Sequence, residues 1–258
     1  MWTAKITLAY DGSRYIGWQI QATGNSVQQQ VEQAWQTVNN ERARITASGR
    51  TDTGVHALAQ VCSCQTETAR TPQVLARALD ANTPDDISIL NVERAVDGFH
   101  AIRDAESKTY AYRIQFGPRQ DPLARNRCWF VRGDLNMPSM EAACQLLQGE
   151  HDFSSFEASG SPRGSSVRNV FELTLAHWQR GPFQYIDLKV SANGFLYHMV
   201  RNIAGAVVET GMGKHDLAGL QGILDAGDRR AAGITAPAHG LCLMQVDYPF
   251  GHLASDQQ

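Results

Sequence analysis

The sequence predicts an α+β fold of two similar halves, each running β-α-β-β-α-β, on three observations. Residues 4–10 and 107–116 both alternate apolar and polar side chains, the period of a strand with one buried face. Each stretch is followed by a helical segment. Each half then carries two further strands and a second helix, punctuated by Gly, Pro, Ser and Thr. The expected architecture is two ferredoxin-like halves, 1–105 and 106–258, with antiparallel sheets joined to one another and helices on one face.

The first strand places Ala4, Ile6, Leu8 and Tyr10 on one side, and Tyr10-Asp11-Gly12 turns the chain. Ser26, with Gln29 three places on, reads as a capping box, and Val27, Val31, Ala34, Trp35 and Val38 fall on one helical stripe. Strands are expected near 43–48 and 57–65, flanking a loop from Gly49 to Gly54. Thr71-Pro72 offers an N-cap and a first-turn proline to a helix carrying Leu75, Ala78 and Leu79, and Ile87 to Val92 closes the half as a strand. The second half opens with Lys108, Tyr110, Tyr112, Ile114 and Phe116 on one strand face. A helix near 139–148 follows, then two strands joined at Arg180-Gly181-Pro182. An apolar helix from 196 to 210 ends at Gly211, and a shorter helix at 217–225 precedes a last strand at 241–247.

With 258 residues, 43% of them hydrophobic, the chain can bury a sizeable core without covalent staples. Its five cysteines, at 62, 64, 128, 144 and 242, include no C-x-x-C pair, which argues against a disulfide framework and a zinc module. Met1 to Lys5 lack a basic region followed by an apolar stretch, and no uncharged apolar run approaches the ~20 residues that span a bilayer. A soluble, cytoplasmic protein without membrane contact is the expectation. The net charge of −3 opposes a nucleic-acid partner on average, but not locally. Between Arg103 and Arg132, seven basic residues (Arg103, Lys108, Arg113, Arg119, Arg125, Arg127 and Arg132) face three acids.

Three segments are chemically unusual. Gly49-Arg50-Thr51-Asp52-Thr53-Gly54-Val55-His56-Ala57 lies between two predicted strands. Asp52 there is either a turn-forming side chain or a carboxylate presented on a sheet rim. No companion ligand motif accompanies it, so a nucleophile or base is preferred to a metal ligand, and His56 reads as a structural hydrogen-bonding residue. Arg201 sits in an otherwise apolar helix, where it either pairs with a carboxylate or phosphate or reaches out to water. Tyr110, beside Lys108 and Tyr112, is either core or a platform for a nucleobase.

Together these segments resemble the tRNA pseudouridine synthase A family. The resemblance rests on the Gly49–Ala57 block, on Tyr110-Ala111-Tyr112 and on His198-Met199-Val200-Arg201-Asn202. It extends to Tyr10–Gln19, to Phe99-His100-Ala101 and to Asp152-Phe153-Ser154-Ser155-Phe156, with one local departure at Ile102-Arg103. The resemblance implies that Asp52 is the catalytic nucleophile, that Tyr110 packs on the target base, and that Arg201 pairs with Asp52. Arg50 then helps to hold the nucleotide flipped out. The implied reaction converts uridine to pseudouridine at positions 38, 39 and 40 of the tRNA anticodon stem-loop, with no cofactor and no metal, in a homodimer whose RNA sites draw on both subunits.

Two other readings compete. A noncatalytic RNA-binding protein of ferredoxin-like fold would carry an aromatic-rich consensus strand, which this sequence lacks. A hydrolase using Asp52 would want a second carboxylate to activate water, and none lies near it in sequence. A dinucleotide oxidoreductase is set aside because Gly211-Met212-Gly213 follows a helix rather than a strand.

Overall fold

In a computed structural model, which describes residues 1–158, 160 and 164–254, the chain divides into two units. The first comprises Met1–Glu106 with Cys242–Gln258, and the second Ser107–Leu241. The fold is mixed α+β with mostly antiparallel sheet pairing.

The first unit follows the predicted order: β1 (Trp2–Tyr10), α1 (Val27–Asn39), β2 (Thr46–Ala47), β3 (His56–Thr66), α2 (Pro72–Asp80) and β4 (Ile87–Ala95). β1 pairs antiparallel with both β3 and β4, and β2 pairs antiparallel with β3. Both predicted helix caps form. The Ser26 hydroxyl accepts the Gln29 N–H at 3.2 Å and the Thr71 hydroxyl that of Val74 at 3.4 Å, each satisfying a donor that the helix leaves unpaired. The apolar stripes of β1, α1 and α2 bury Ile6, Leu8, Val31, Trp35, Leu75 and Leu79 completely.

The last strand, β10 (Leu241–Asp247), was expected to complete the second half. Residues 242–258 instead group with the first unit, because Cys242 and Leu243 pair in parallel with His56 and Ala57 of β3.

The second unit holds β5 (Ser107–Gly117), β6 (Trp129–Arg132), α3 (Met137–Leu147), β7 (Gly149–Asp152), β8 (Val167–Arg180), β9 (Phe183–Ala192), α4 (Met199–Gly211) and α5 (Leu217–Ala226). Its strands order β5-β9-β8-β7 antiparallel, and β6 lies parallel to β5. β6 and β7 are four-residue strands absent from the sequence reading. The apolar helix also begins later than expected, at Met199 instead of 196. His198 before it takes a left-handed conformation, φ 61°, so Leu196 and Tyr197 continue the apolar pattern but not the helix. Among the described residues no helix is long and apolar enough to cross a membrane.

Candidate active site

Asp52 lies half-buried in the loop between β2 and β3, and hydrogen bonds fasten that loop at Ser48, Gly49, Thr51, Asp52 and Val55. The Gly49 carbonyl accepts a bond from Gln60 Nε2 at 3.0 Å, while Gln60 Oε1 takes the Ser48 hydroxyl at 2.7 Å. Thr51 is buried, its hydroxyl 2.8 Å from that of Tyr10 and its carbonyl accepting the Trp18 N–H at 3.0 Å. The Asp52 carbonyl accepts the Val55 N–H at 3.1 Å, closing the turn. Gly17 makes the close approach of the 10–19 segment possible. Its φ is +100°, and a Cβ there would stand 2.4 Å from the Thr51 carbonyl oxygen, so only glycine fits. At the loop's exit, buried His56 accepts the Gly12 N–H at Nδ1 (3.1 Å) and lies 3.1 Å from Asp11 Oδ1. The structural role read for His56 matches these contacts, and β10 flanks it. Arg50 shares the loop and is exposed. A carboxylate is thus carried on backbone held by buried, satisfied polar groups, which is how rigid elements present reactive side chains.

The second unit separates two tyrosines that strand alternation makes equivalent. Tyr110, 8% exposed, meets Phe195 edge-on at a ring distance of 5.1 Å. Tyr112 is fully buried and donates its hydroxyl to the Pro237 carbonyl at 2.7 Å. Burial raises the Tyr112 pKa far above its ordinary value, opposed by the nearby Arg201 guanidinium. Arg201 is the one residue of α4 that is not buried. Its Nε donates to the Ala236 carbonyl at 2.8 Å, a tether for which the helix sequence carries no signal.

The basic segment is only partly available for anion binding. Arg113 grips Asp187 directly across the β5–β9 pair through two bonds of 2.7 and 2.8 Å, and Arg103 bonds Asp104 and the Gly98 carbonyl. Arg119, Arg125, Arg127 and Arg132 are exposed. The loop bearing the first three is built on Asp121, which is 1% exposed, bonded by Arg180 and by the Tyr185 hydroxyl, and accepts the Leu123 N–H at 2.8 Å. Asp121 is the only acid between Gly117 and Gly133, so internal neutralisation leaves the loop surface basic.

The Tyr185 hydroxyl, with Arg180 behind it, holds the Asp121 carboxyl below the ordinary carboxylate range. A depressed folded-state pKa contributes stability that is present above the unfolded value and is lost as pH falls through the folded one. The thermal stability gap between wild type and Asp121→Asn should therefore be widest near neutrality and shrink below about pH 4. Melting curves between pH 7 and pH 2.5 check this; a constant gap would remove Asp121's ionisation from the account.

Among the described residues no group of three or more His, Cys, Asp or Glu side chains could hold a metal ion. Burial pushes the Cys64 thiol up to about 12 and that of Cys128 to about 11, which leaves both protonated and poor nucleophiles near neutrality.

The model of the tRNA pseudouridine synthase family matches residues 6–101 and 143–249. The chain is 41% identical over 248 residues to the tRNA pseudouridine synthase A of Pelobacter propionicus, covering 96% of this chain and all of that one. It is 41% identical to the enzyme of that name from Geotalea uraniireducens, covering 95% and 98% of the two chains. It is 40% identical to the one from a Thermoanaerobacter species, covering 94% and 98%.

Proposed function

The chain belongs to the tRNA pseudouridine synthase family, and on that premise we propose that it converts uridine to pseudouridine at positions 38, 39 and 40 of the tRNA anticodon stem-loop, with Asp52 as nucleophile. The observation that carries this reading is the fastened loop of Gly49–Val55, which presents one half-buried carboxylate on a sheet rim. Tyr110 is assigned to the face of the target base, Arg50 to the flipped nucleotide, and Arg201 to the counter-charge of Asp52. The enzyme is proposed to act as a cytoplasmic homodimer. Two exposed arginine loops would then offer RNA a positive surface despite a chain charge of −3.

The chemistry asks for these parts. A uracil in a stem must leave its stack at a cost of a few kcal/mol, which an aromatic face and a guanidinium offset. The C1′–N1 bond breaks, the base turns, C1′ bonds to C5, the C5 proton departs and N1 takes up a proton. Atoms balance without an oxidant, a reductant or a cofactor. Incubation of unmodified tRNA carrying tritium at uridine C5 tests the reading. Release of tritium to water without strand scission or free uracil is expected; free uracil would mark a hydrolase, and binding without release a noncatalytic RNA-binding protein.

The exposed arginines of the loop after β5 are expected to act through phosphates. Arg125→Gln with Arg127→Gln should weaken tRNA binding and lower the slope of log affinity against log salt by roughly 0.7–0.9 per lost contact. A titration series in salt measures it, and an unchanged slope would place the RNA elsewhere.

A further inference from the structure

Residues 229–237 form a strap laid along α4, and its contacts go beyond what a connecting loop needs. Asn202, fully buried, uses both ends of its amide. Nδ2 donates to the Phe156 carbonyl at 2.7 Å, while Oδ1 accepts the Thr235 hydroxyl at 2.7 Å and Arg229 Nη2 at 3.1 Å. Arg229 also bonds Thr235 Oγ1 at 2.6 Å and the Gly233 carbonyl at 3.1 Å, so one guanidinium ties the strap to itself and to the helix. The Ile234 N–H reaches Glu209 at 3.3 Å. Contact is close enough that a Cβ on Gly205 would lie 2.1 Å from the Ile234 carbonyl oxygen. The strap ends on Arg201. The Ala236 N–H donates to the Arg201 carbonyl at 3.1 Å, and Arg201 Nε donates back to the Ala236 carbonyl at 2.8 Å. The next residue, Pro237, is held by the Tyr112 hydroxyl.

We propose that Arg229 and Thr235 are positioning residues, which hold the strap on Asn202 so that the Ala236 carbonyl aims the Arg201 guanidinium. An arginine side chain has many rotamers to lose before it can serve one geometry. The reciprocal pair with Ala236 settles them before substrate arrives, and electrostatic groups act best when oriented in advance. This rests on the assignment of Arg201 to the reaction made above.

Thr235→Val keeps the side-chain shape and removes the hydroxyl. We expect single-turnover conversion of tRNA to fall roughly tenfold with tRNA affinity unchanged, the size of one lost internal hydrogen bond. Thr235→Ser should restore the rate, and Arg229→Gln, on a half-buried residue, should reproduce the loss if the valine variant folds poorly. In an Arg201→Lys background, Thr235→Val should slow the reaction no further, because its effect passes through the guanidinium. The NMR signal of the Arg201 Nε–H, identified by its absence in Arg201→Lys, should exchange slowly with water in wild type and rapidly in Thr235→Val. A wild-type rate per folded Thr235→Val molecule, or the same fold loss in both backgrounds, would overturn the proposal. Arg201→Lys at wild-type rate would instead remove Arg201 from the reaction, and the strap's purpose with it.

Discussion

Asp52→Asn is expected to bind tRNA as wild type does and to convert it at least about 10³-fold more slowly in a single-turnover assay. The substitution is nearly isosteric, and the bond that closes the turn comes from the Asp52 main-chain carbonyl, which it leaves intact. Further fastenings of the loop run through Gly49, Thr51, Gln60 and Trp18. Asparagine is also as good a turn former as aspartate. A residue whose task is to shape the loop would therefore tolerate the change. The variant tests the nucleophile reading because it removes the charge and the nucleophilicity at nearly constant volume. Conversion at more than a few per cent of the wild-type rate would remove Asp52 as the nucleophile.

Tyr110 is expected to show two separable losses. Tyr110→Phe keeps the ring against Phe195 and should retain tRNA affinity while turnover falls ~10²–10⁴-fold, the usual scale of general acid–base assistance, here in removing the C5 proton. Tyr110→Ala should in addition weaken binding by the worth of one stacked base, about 1–3 kcal/mol. A tyrosine serving only the core predicts a different pattern: Phe nearly harmless and Ala costing about 3–5 kcal/mol of stability. Melting temperature, affinity and single-turnover rate measured on both variants decide between them. A Phe variant with wild-type turnover removes the hydroxyl from the chemistry.

What was legible in the sequence was local. The caps at Ser26 and Thr71 lie three residues from the N–H groups they satisfy, and the alternation of β1 shows within ten residues which face is buried, whereas at the end of β5 the pattern inverts, with Gln115 buried and Phe116 half-buried. The Asp52 loop was visible because its unusual residues are contiguous. Its supports were not, since Tyr10, Gly17, Trp18 and Gln60 are drawn from other elements and none announces its partner. Strands β6 and β7 carry no clear signal in the sequence for the same reason: four residues hold little periodicity, and what orders them is pairing with another strand. Alternation put Tyr110 and Tyr112 on one face with equal claims, and only the Pro237 carbonyl, 125 residues on, marks Tyr112 as structural. The helix around Arg201 was readable from its apolar residues, but the tether at Ala236 required the fold.

The pairing of β10 with β3 has a consequence for synthesis on the ribosome. The strand that flanks the exit of the Asp52 loop is made only after the 135 residues of Ser107–Leu241. At about 5–20 residues per second the nascent first unit waits roughly 7–27 s with the His56–Ala57 end of that edge of β3 uncovered. An unpaired strand edge is a template for pairing with other chains. Crowded polysomes translating this message therefore expose, in each chain past residue 106, an open edge beside the candidate nucleophile, and it closes only when Cys242 and Leu243 arrive.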